Sequence, residues 1–297
     1  MWLPVAMLCG IWMLGLIGCG DVLASSSEAE TDANRVPTDT RLPEAPQRLR
    51  VDCEGVHLQG GASICRTRPG THVILGEART EADHEGVFVV GFDRDAPATE
   101  TLRLEGPAGE SVELELQVEP REYEISRING LPPSQVSNYT AAQSARIAAS
   151  SKRKRAGDRS RWPGQAFSSG FAWPLEGRES SSFGAQRILN GEEKRPHYGV
   201  DLAAPHGTPI ASPADGLVTL ADEDLYFEGA MIVLDHGQGF LSKYLHVSRI
   251  DVKPGQRVRQ GQIIGAVGSK GRSTGPHLCW RLKWRDRNLD PSLWIAE

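Results

Sequence analysis

The chain has 297 residues, with 33 Lys and Arg against 38 Asp and Glu and a formal net charge of −5. That length leaves room for two domains with real cores. A chain without a basic excess argues against a nucleic-acid binder, and its 32 glycines and 19 prolines suit a turn-rich β protein better than a helical one.

Residues 1–24 read as an export segment. From Trp2 to Ile17 the sequence is uncharged and mostly apolar, yet the run is short for a membrane span. Leu16-Ile17-Gly18-Cys19 resembles the lipobox of bacterial lipoproteins, in which the cysteine becomes the lipidated N-terminus. Cleavage after Ala24 and retention as an uncleaved anchor are the alternatives. All three put the rest of the chain outside the cytoplasm. The expected location is the periplasm, with the chain held to the membrane through Cys19. Residues 25–47 are rich in Ser, Glu, Asp, Thr and Pro and almost devoid of apolar side chains. Such a stretch cannot bury enough surface to offset its conformational entropy, and it reads as a disordered tether.

Residues 48–120 carry short apolar or alternating runs, among them Val87-Phe88-Val89-Val90 and Val112-Glu113-Leu114-Glu115-Leu116, punctuated by Gly60-Gly61, Pro69-Gly70 and Glu85-Gly86. This spacing predicts a small β-sandwich, immunoglobulin-like in kind. Cys53 and Cys65 can pair outside the cytoplasm, given suitable strand geometry. His57, His72 and His84 are scattered and read as surface residues. The region offers no catalytic group and reads as a spacer or docking module. Residues 121–164 form a linker with one expected helix, over Tyr139–Lys154. The basic run from Ser151 to Arg155 reads as a solvated helix end, with contact to acidic envelope polymers or anionic lipid as the functional alternative.

Residues 165–297 return to β character. Gly216-Leu217-Val218-Thr219-Leu220-Ala221, Met231-Ile232-Val233-Leu234-Asp235 and Ile263-Ile264-Gly265-Ala266-Val267 are strand-like, with glycines at the turns. They predict packed antiparallel sheets with a site on one open face. Three stretches carry chemistry. In His197-Tyr198-Gly199-Val200-Asp201, the glycine and the nearby Pro196 and Pro205 make a poor helix. A swing of the chain at Gly199 is needed to bring both side chains to one ion. In Gly275-Pro276-His277-Leu278-Cys279, a strand would point His277 and Cys279 to one face. Tyr244-Leu245-His246 supplies a further histidine. His, Asp and Cys are all zinc ligands, and three protein ligands plus a water is the usual catalytic build. His206 and His236, beside turn residues, read as structural or supporting groups, and Arg187 and Asn190 as residues that could line the cleft.

Together with Phe183-Gly184, Gly207-Thr208-Pro209 and Ala214-Asp215-Gly216, these stretches resemble the lysostaphin-type (LytM-like) metallopeptidases, a family of peptidoglycan endopeptidases. The resemblance covers roughly Phe167 to Glu297. It implies an antiparallel hybrid-type β domain, so that the chain is all-β apart from the helical linker. It implies a bound zinc ion with His197 and Asp201 as ligands, and His246 and His277 as catalytic residues. The family's third motif is His-x-His, and Cys279 stands where its third ligand is expected. Thiolate binds zinc well but donates more charge than imidazole. The expectation is an active enzyme with shifted metal preference, or a weakened one; a buried, purely structural Cys279 is the alternative. The implied reaction is metal-assisted hydrolysis of peptide cross-links in peptidoglycan, with a D-alanyl–diaminopimelate bond favoured in a Gram-negative envelope. His277 is expected as the base and His246 as the oxyanion stabiliser. Two other readings stay open: a weakened domain that activates a cell-wall amidase or docks another envelope protein, and a histidine phospho-carrier of related fold, which the export segment opposes.

Overall fold

The computed structural model describes residues 49–133 and 136–296; the apolar leader, the Cys19 lipobox and the tether lie outside the described residues. Among the described residues, no helix is long and apolar enough to cross a membrane.

Period-two patterning builds the first region. Strands β1 (Asp52–Gly55), β2 (Ala62–Arg66), β3 (His72–Leu75), β4 (Ala78–Glu81), β5 (Val87–Gly91), β6 (Thr99–Glu105) and β7 (Ser111–Gln117) form two antiparallel sheets. Their orders are β1-β2-β5 and β4-β3-β6-β7. In the constant-type immunoglobulin order the fourth strand joins the first sheet; here it pairs with β3 in the second. On β6, Leu102 and Leu104 face the core while Thr101 and Arg103 face water. Cys53 lies directly opposite Cys65 across the β1–β2 ladder, and the two form a disulfide.

Strand β8 (Ile125–Ile128) and helix α1 (Ala141–Asp158) occupy the linker. Thr140 caps the helix and Gln143 completes a capping box. The helix runs four residues past its expected end at Lys154. Arg153 pairs with Asp222, Lys154 with Glu228, and Arg146 with Asp224. Lys152, Arg153 and Arg155 are exposed, as expected of a solvated helix end, and the ion pairs of Arg153 and Lys154 also tie the helix to the second sheet region. At its far end Asp158 receives Lys243.

The remaining strands are β9 (Arg178–Ser181), β10 (Gln186–Leu189), β11 (Glu192–Glu193), β12 (Val200–Ala203), β13 (Pro209–Ala211), β14 (Gly216–Leu225), β15 (Gly229–Asp235), β16 (Phe240–Val247), β17 (Arg249–Ile250), β18 (Arg257–Val258), β19 (Ile263–Ala266), β20 (His277–Trp284) and β21 (Arg287–Leu289). The main sheet has the order β18-β14-β15-β16-β20-β12-β9, with β21 paired to β20. A second sheet, β13-β19-β17, covers part of it, and β8 pairs in parallel with β10. Strands β15 and β16 are buried along their whole length, as expected of central strands covered on both faces.

The two β regions share one continuous apolar core, which runs from Phe88 and Leu104 to Trp280 and Trp284. Polar groups cross between them where water is excluded. Arg287 pairs with the buried Glu100 and donates to the Leu75 carbonyl (3.0 Å). Gln238 donates to the Val87 carbonyl (2.9 Å), and Asp290 pairs with Arg121 (2.9 Å). These crossing groups are thereby matched, as buried polar groups usually are.

Candidate metal centre

Register brings the donors together. Strand β20 lies between β12 and β16, so Cys279 stands opposite Asp201 on one side and Leu245 on the other. Period two puts His277 and Arg281 on the same face as Cys279, while Leu278, Trp280 and Leu282 fill the core behind. Gly199 lets the chain from His197 to Asp201 lie against β20. A Cβ there would sit 2.5 Å from the Trp280 carbonyl oxygen and from the Arg281 side chain. The glycine is thus needed for close approach.

His197, Asp201 and Cys279 offer donor atoms that all lie within 4.8 Å of one another. His197 Nε2 is 3.0 Å from Asp201 Oδ1 and 3.4 Å from Cys279 Sγ. The other ring nitrogen, Nδ1, is 3.2 Å from the Ser182 carbonyl and 3.0 Å from the Ser181 hydroxyl. A carbonyl only accepts, so Nδ1 carries the hydrogen and Nε2 of the neutral ring presents a lone pair. That lone pair then faces a carboxylate oxygen that finds no hydrogen-bond partner. Two acceptors this close, both buried, need a positive charge between them. A proton could serve, but burial lowers the pKa of His197 and so disfavours the imidazolium. Burial alone would raise the Asp201 pKa, yet His197, His277 and Arg187 together hold its carboxyl well below the usual range. Burial also pushes the Cys279 thiol up to about 12, so the sulfur becomes a thiolate only with a cation beside it. Donors at bonding distance around one tetrahedral ion are roughly 3.3–3.8 Å apart. The N, O and S set fits a divalent metal.

Two more histidines flank these donors. His246 sits in a β-bulge: Ala230 pairs with Val247 and Met231 with Leu245, leaving His246 unopposed on β16. Its φ of 65° is left-handed, an unusual conformation for a non-glycine residue and one found near functional sites. Nδ1 of His246 donates to the Lys270 carbonyl (2.8 Å), and Nδ1 of His277 to the Gly275 carbonyl (2.9 Å). The Lys270 carbonyl is placed by a tight crossing, since a Cβ on Gly229 (φ +65°) would sit 2.4 Å from the Lys270 backbone. All three site histidines are therefore fixed in the same tautomer, with Nε2 bare. The His246 and His277 rings are 4.9 Å apart, and His277 Nε2 is 3.8 Å from Asp201 Oδ1. Burial lowers the His246 pKa to about 4.

The donors open into a cleft of about 380 Å³. Ser126, Ile128 and Leu131 from the linker form part of its wall. Arg187 lines it, with Nη2 3.6 Å from Asp201 Oδ2. Asn190 does not line it and instead brackets the Leu131 backbone with two hydrogen bonds. His206 is exposed in a turn. His236 is buried, donating to the Asp215 carbonyl (2.7 Å) and bonded to the Ser242 hydroxyl (2.7 Å), away from the donors. Sequence reasoning missed Arg281, whose Nε–H donates to Cys279 Sγ (3.4 Å). The same alternation that paired His277 with Cys279 points to it.

An antiparallel sheet with three convergent donors and two bare imidazoles beside an open cleft is an arrangement suited to metal-assisted hydrolysis. The comparisons give the family. Residues 195–291 match peptidase family M23. Over 115 residues the chain is 45% identical to the peptidoglycan DD-endopeptidase ShyA of Vibrio cholerae, covering 38% of this chain and 26% of that protein. Over 114 residues it is 38% identical to the DD-carboxypeptidase/endopeptidase Mpg of Neisseria meningitidis, again covering 38% and 26%. A peptidase M23 crystal structure from Pseudomonas aeruginosa superposes with a TM-score of 0.65 at 29% identity, covering 80% of this chain and 95% of that one. The chain spans about a quarter of the length of the curated relatives it matches. Residues 195–291 thus form a peptidase family M23 domain.

Proposed function

We propose that the protein is a zinc-dependent endopeptidase that hydrolyses peptide cross-links of bacterial peptidoglycan. The observation that carries this reading is the convergence of the bare His197 Nε2, the unpartnered Asp201 Oδ1 and Cys279 Sγ beside two further bare imidazoles. The endopeptidase names of the relatives give the substrate class. His197, Asp201 and Cys279 would hold the ion. A zinc ion, when bound, polarises a scissile carbonyl and acidifies water at neutral pH.

The protein's own groups do the rest. The carbonyls of Lys270 and Gly275 hold the hydrogens of His246 and His277 on Nδ1, so each Nε2 enters the cleft as an acceptor. His277, the nearer to Asp201, takes the proton of the attacking water at Nε2. Stabilising an oxyanion from His246 requires a hydrogen on Nε2, and its low pKa disfavours that in the resting protein. We therefore assign His246 the orientation of the attacking water, as a hydrogen-bond acceptor. The amidase-activator reading is the weaker one, because both histidines and all three donors are kept together. On sequence grounds alone, we also propose an exported chain anchored through Cys19.

Incubation of zinc-loaded residues 46–297 with cross-linked sacculi, beside His246→Ala, tests the proposal. Cross-linked dimers should fall to monomers only with the unmutated protein. An unchanged muropeptide profile under every divalent metal would reject the enzyme.

A further inference from the structure

Three cavities open in series on the face that carries the donors. The second, about 460 Å³, shares Arg187, Leu189, His246, Arg272 and Arg281 with the metal cleft. The third, about 360 Å³, shares Ser151, Lys154, Arg195, Glu228, Leu245 and Arg281 with the second. They form one groove that leaves the cleft at His246 and passes beside helix α1 towards Lys283. Six Lys and Arg side chains line the second cavity and three more the third, against three carboxylates in both. In a chain of net charge −5 this excess is local.

The three carboxylates are already engaged. Glu228 holds Lys154, Asp158 holds Lys243 and Lys283, and Asp286 holds Lys283. Arg195 is exposed and pairs with no carboxylate among the described residues. Arg281 lines all three cavities, and its one side-chain hydrogen bond among the described residues is Nε–H to Cys279. Of the other cations, Arg187 faces Asp201 and Lys194 pairs with Glu192, so Arg195 and Arg281 are groove charges left without a carboxylate partner among the described residues. Low-dielectric walls focus such a field towards an anion.

We propose that this groove is an anion-binding extension of the cleft, and that it receives an arm of the peptide substrate carrying free carboxylates. The inference rests on the endopeptidase reading and adds a substrate requirement to it. Cross-linking peptides with dicarboxylic residues bear such groups close to their amide bonds. Guanidinium groups at Arg195 and Arg281 suit carboxylate recognition by charge-assisted hydrogen bonds.

The test compares two cross-linked peptides, one with free side carboxylates and one with the same groups amidated. Each is assayed with the zinc-loaded protein, with the double variant Lys194→Glu/Arg195→Glu, and with Arg103→Glu, which changes charge on the distant first β region. The unmutated protein should favour the free peptide by about tenfold in kcat/KM, carried by KM, and the double variant should lose that preference while Arg103→Glu keeps it. Anisotropy of the labelled peptides on His246→Ala, with and without the double change, gives a readout independent of turnover. If neither peptide is cleaved, the endopeptidase reading fails and anisotropy still decides the groove. Equal binding of free and amidated peptides, or a preference that survives the double change, overturns the inference. Tighter binding of a polyphosphate chain than of the carboxylate peptide overturns it too.

Discussion

Acidification should destabilise this protein by charging a histidine that the fold keeps neutral. His236 is fully buried; its Nδ1–H donates to the Asp215 carbonyl, and its Nε2 accepts from the Ser242 hydroxyl, which is itself bonded to the Tyr244 hydroxyl. Burial lowers its pKa to about 4. In the unfolded chain an ordinary histidine titrates near 6.5. Between those values the unfolded state binds more protons, so stability falls as pH drops from about 6.5 through about 4. A gap of about 2.5 pH units corresponds to about 3 kcal/mol, a large share of a typical total of about 5–15 kcal/mol. His246 adds a second term of the same sign in metal-free protein, and the His246→Ala background removes it. Urea unfolding of metal-free His246→Ala, with and without His236→Gln, should be followed between about pH 7 and pH 4. Replacing His236 costs stability at neutral pH, but it should flatten the acid slope. Parallel slopes in the two proteins would refute the assignment of the acid sensitivity to His236.

Cys279→Ser should abolish the near-ultraviolet thiolate-to-metal absorption of the cobalt-loaded protein. It should also weaken metal binding by more than the roughly 10–100-fold that outer-shell changes cost. Gly229→Ala should push the Lys270 carbonyl away from His246. Turnover of sacculi should fall about 100-fold, since misplacements near 1 Å cost that much, while the far-ultraviolet spectrum stays native. Lys154→Ala should destabilise the protein by about 2 kcal/mol, by leaving Glu228 without its partner. Adding Glu228→Gln should recover part of that loss, and urea midpoints would show whether it does.

What could be read from the sequence was whatever depended on alternation and residue chemistry. His277 and Cys279 share a face because strands alternate, and Arg281 follows by the same rule although its charge made a solvated role the easy reading. The basic run at Ser151–Arg155 is exposed at Lys152, Arg153 and Arg155, as its composition suggests, and only its ion pairs were hidden from the sequence. The helix's partners Asp222, Asp224 and Glu228 lie about seventy residues away in sequence. Gly199 was read as a hinge, whereas its contacts with Trp280 and Arg281 make it a close-approach position. The bulge at His246 left no mark in the sequence, because the residue that adopts the left-handed turn is a histidine and not a glycine. Likewise Glu100 and Gln238 gave no warning that the two β regions share a core, since each looks like an ordinary surface polar residue until its partner is seen.

The charge balance explains why a cysteine can stand at position 279. A carboxylate and a thiolate at Asp201 and Cys279 would together neutralise a bound divalent ion, where a carboxylate and two imidazoles would leave a net positive site. The sulfur accepts a hydrogen bond from Arg281 Nε–H, and Arg187 stands beside Asp201. These two guanidinium groups also line the groove proposed to take the substrate's carboxylates. Outer cations that offset a thiolate and an anionic substrate drawn towards them are therefore linked. With sulfur at the metal, the arginines hold less net field for the substrate than they would beside a neutral ligand. Cys279→His should then raise the affinity of the groove for free-carboxylate peptides while leaving that for amidated peptides unchanged, and equal shifts for both would separate the sulfur from the groove.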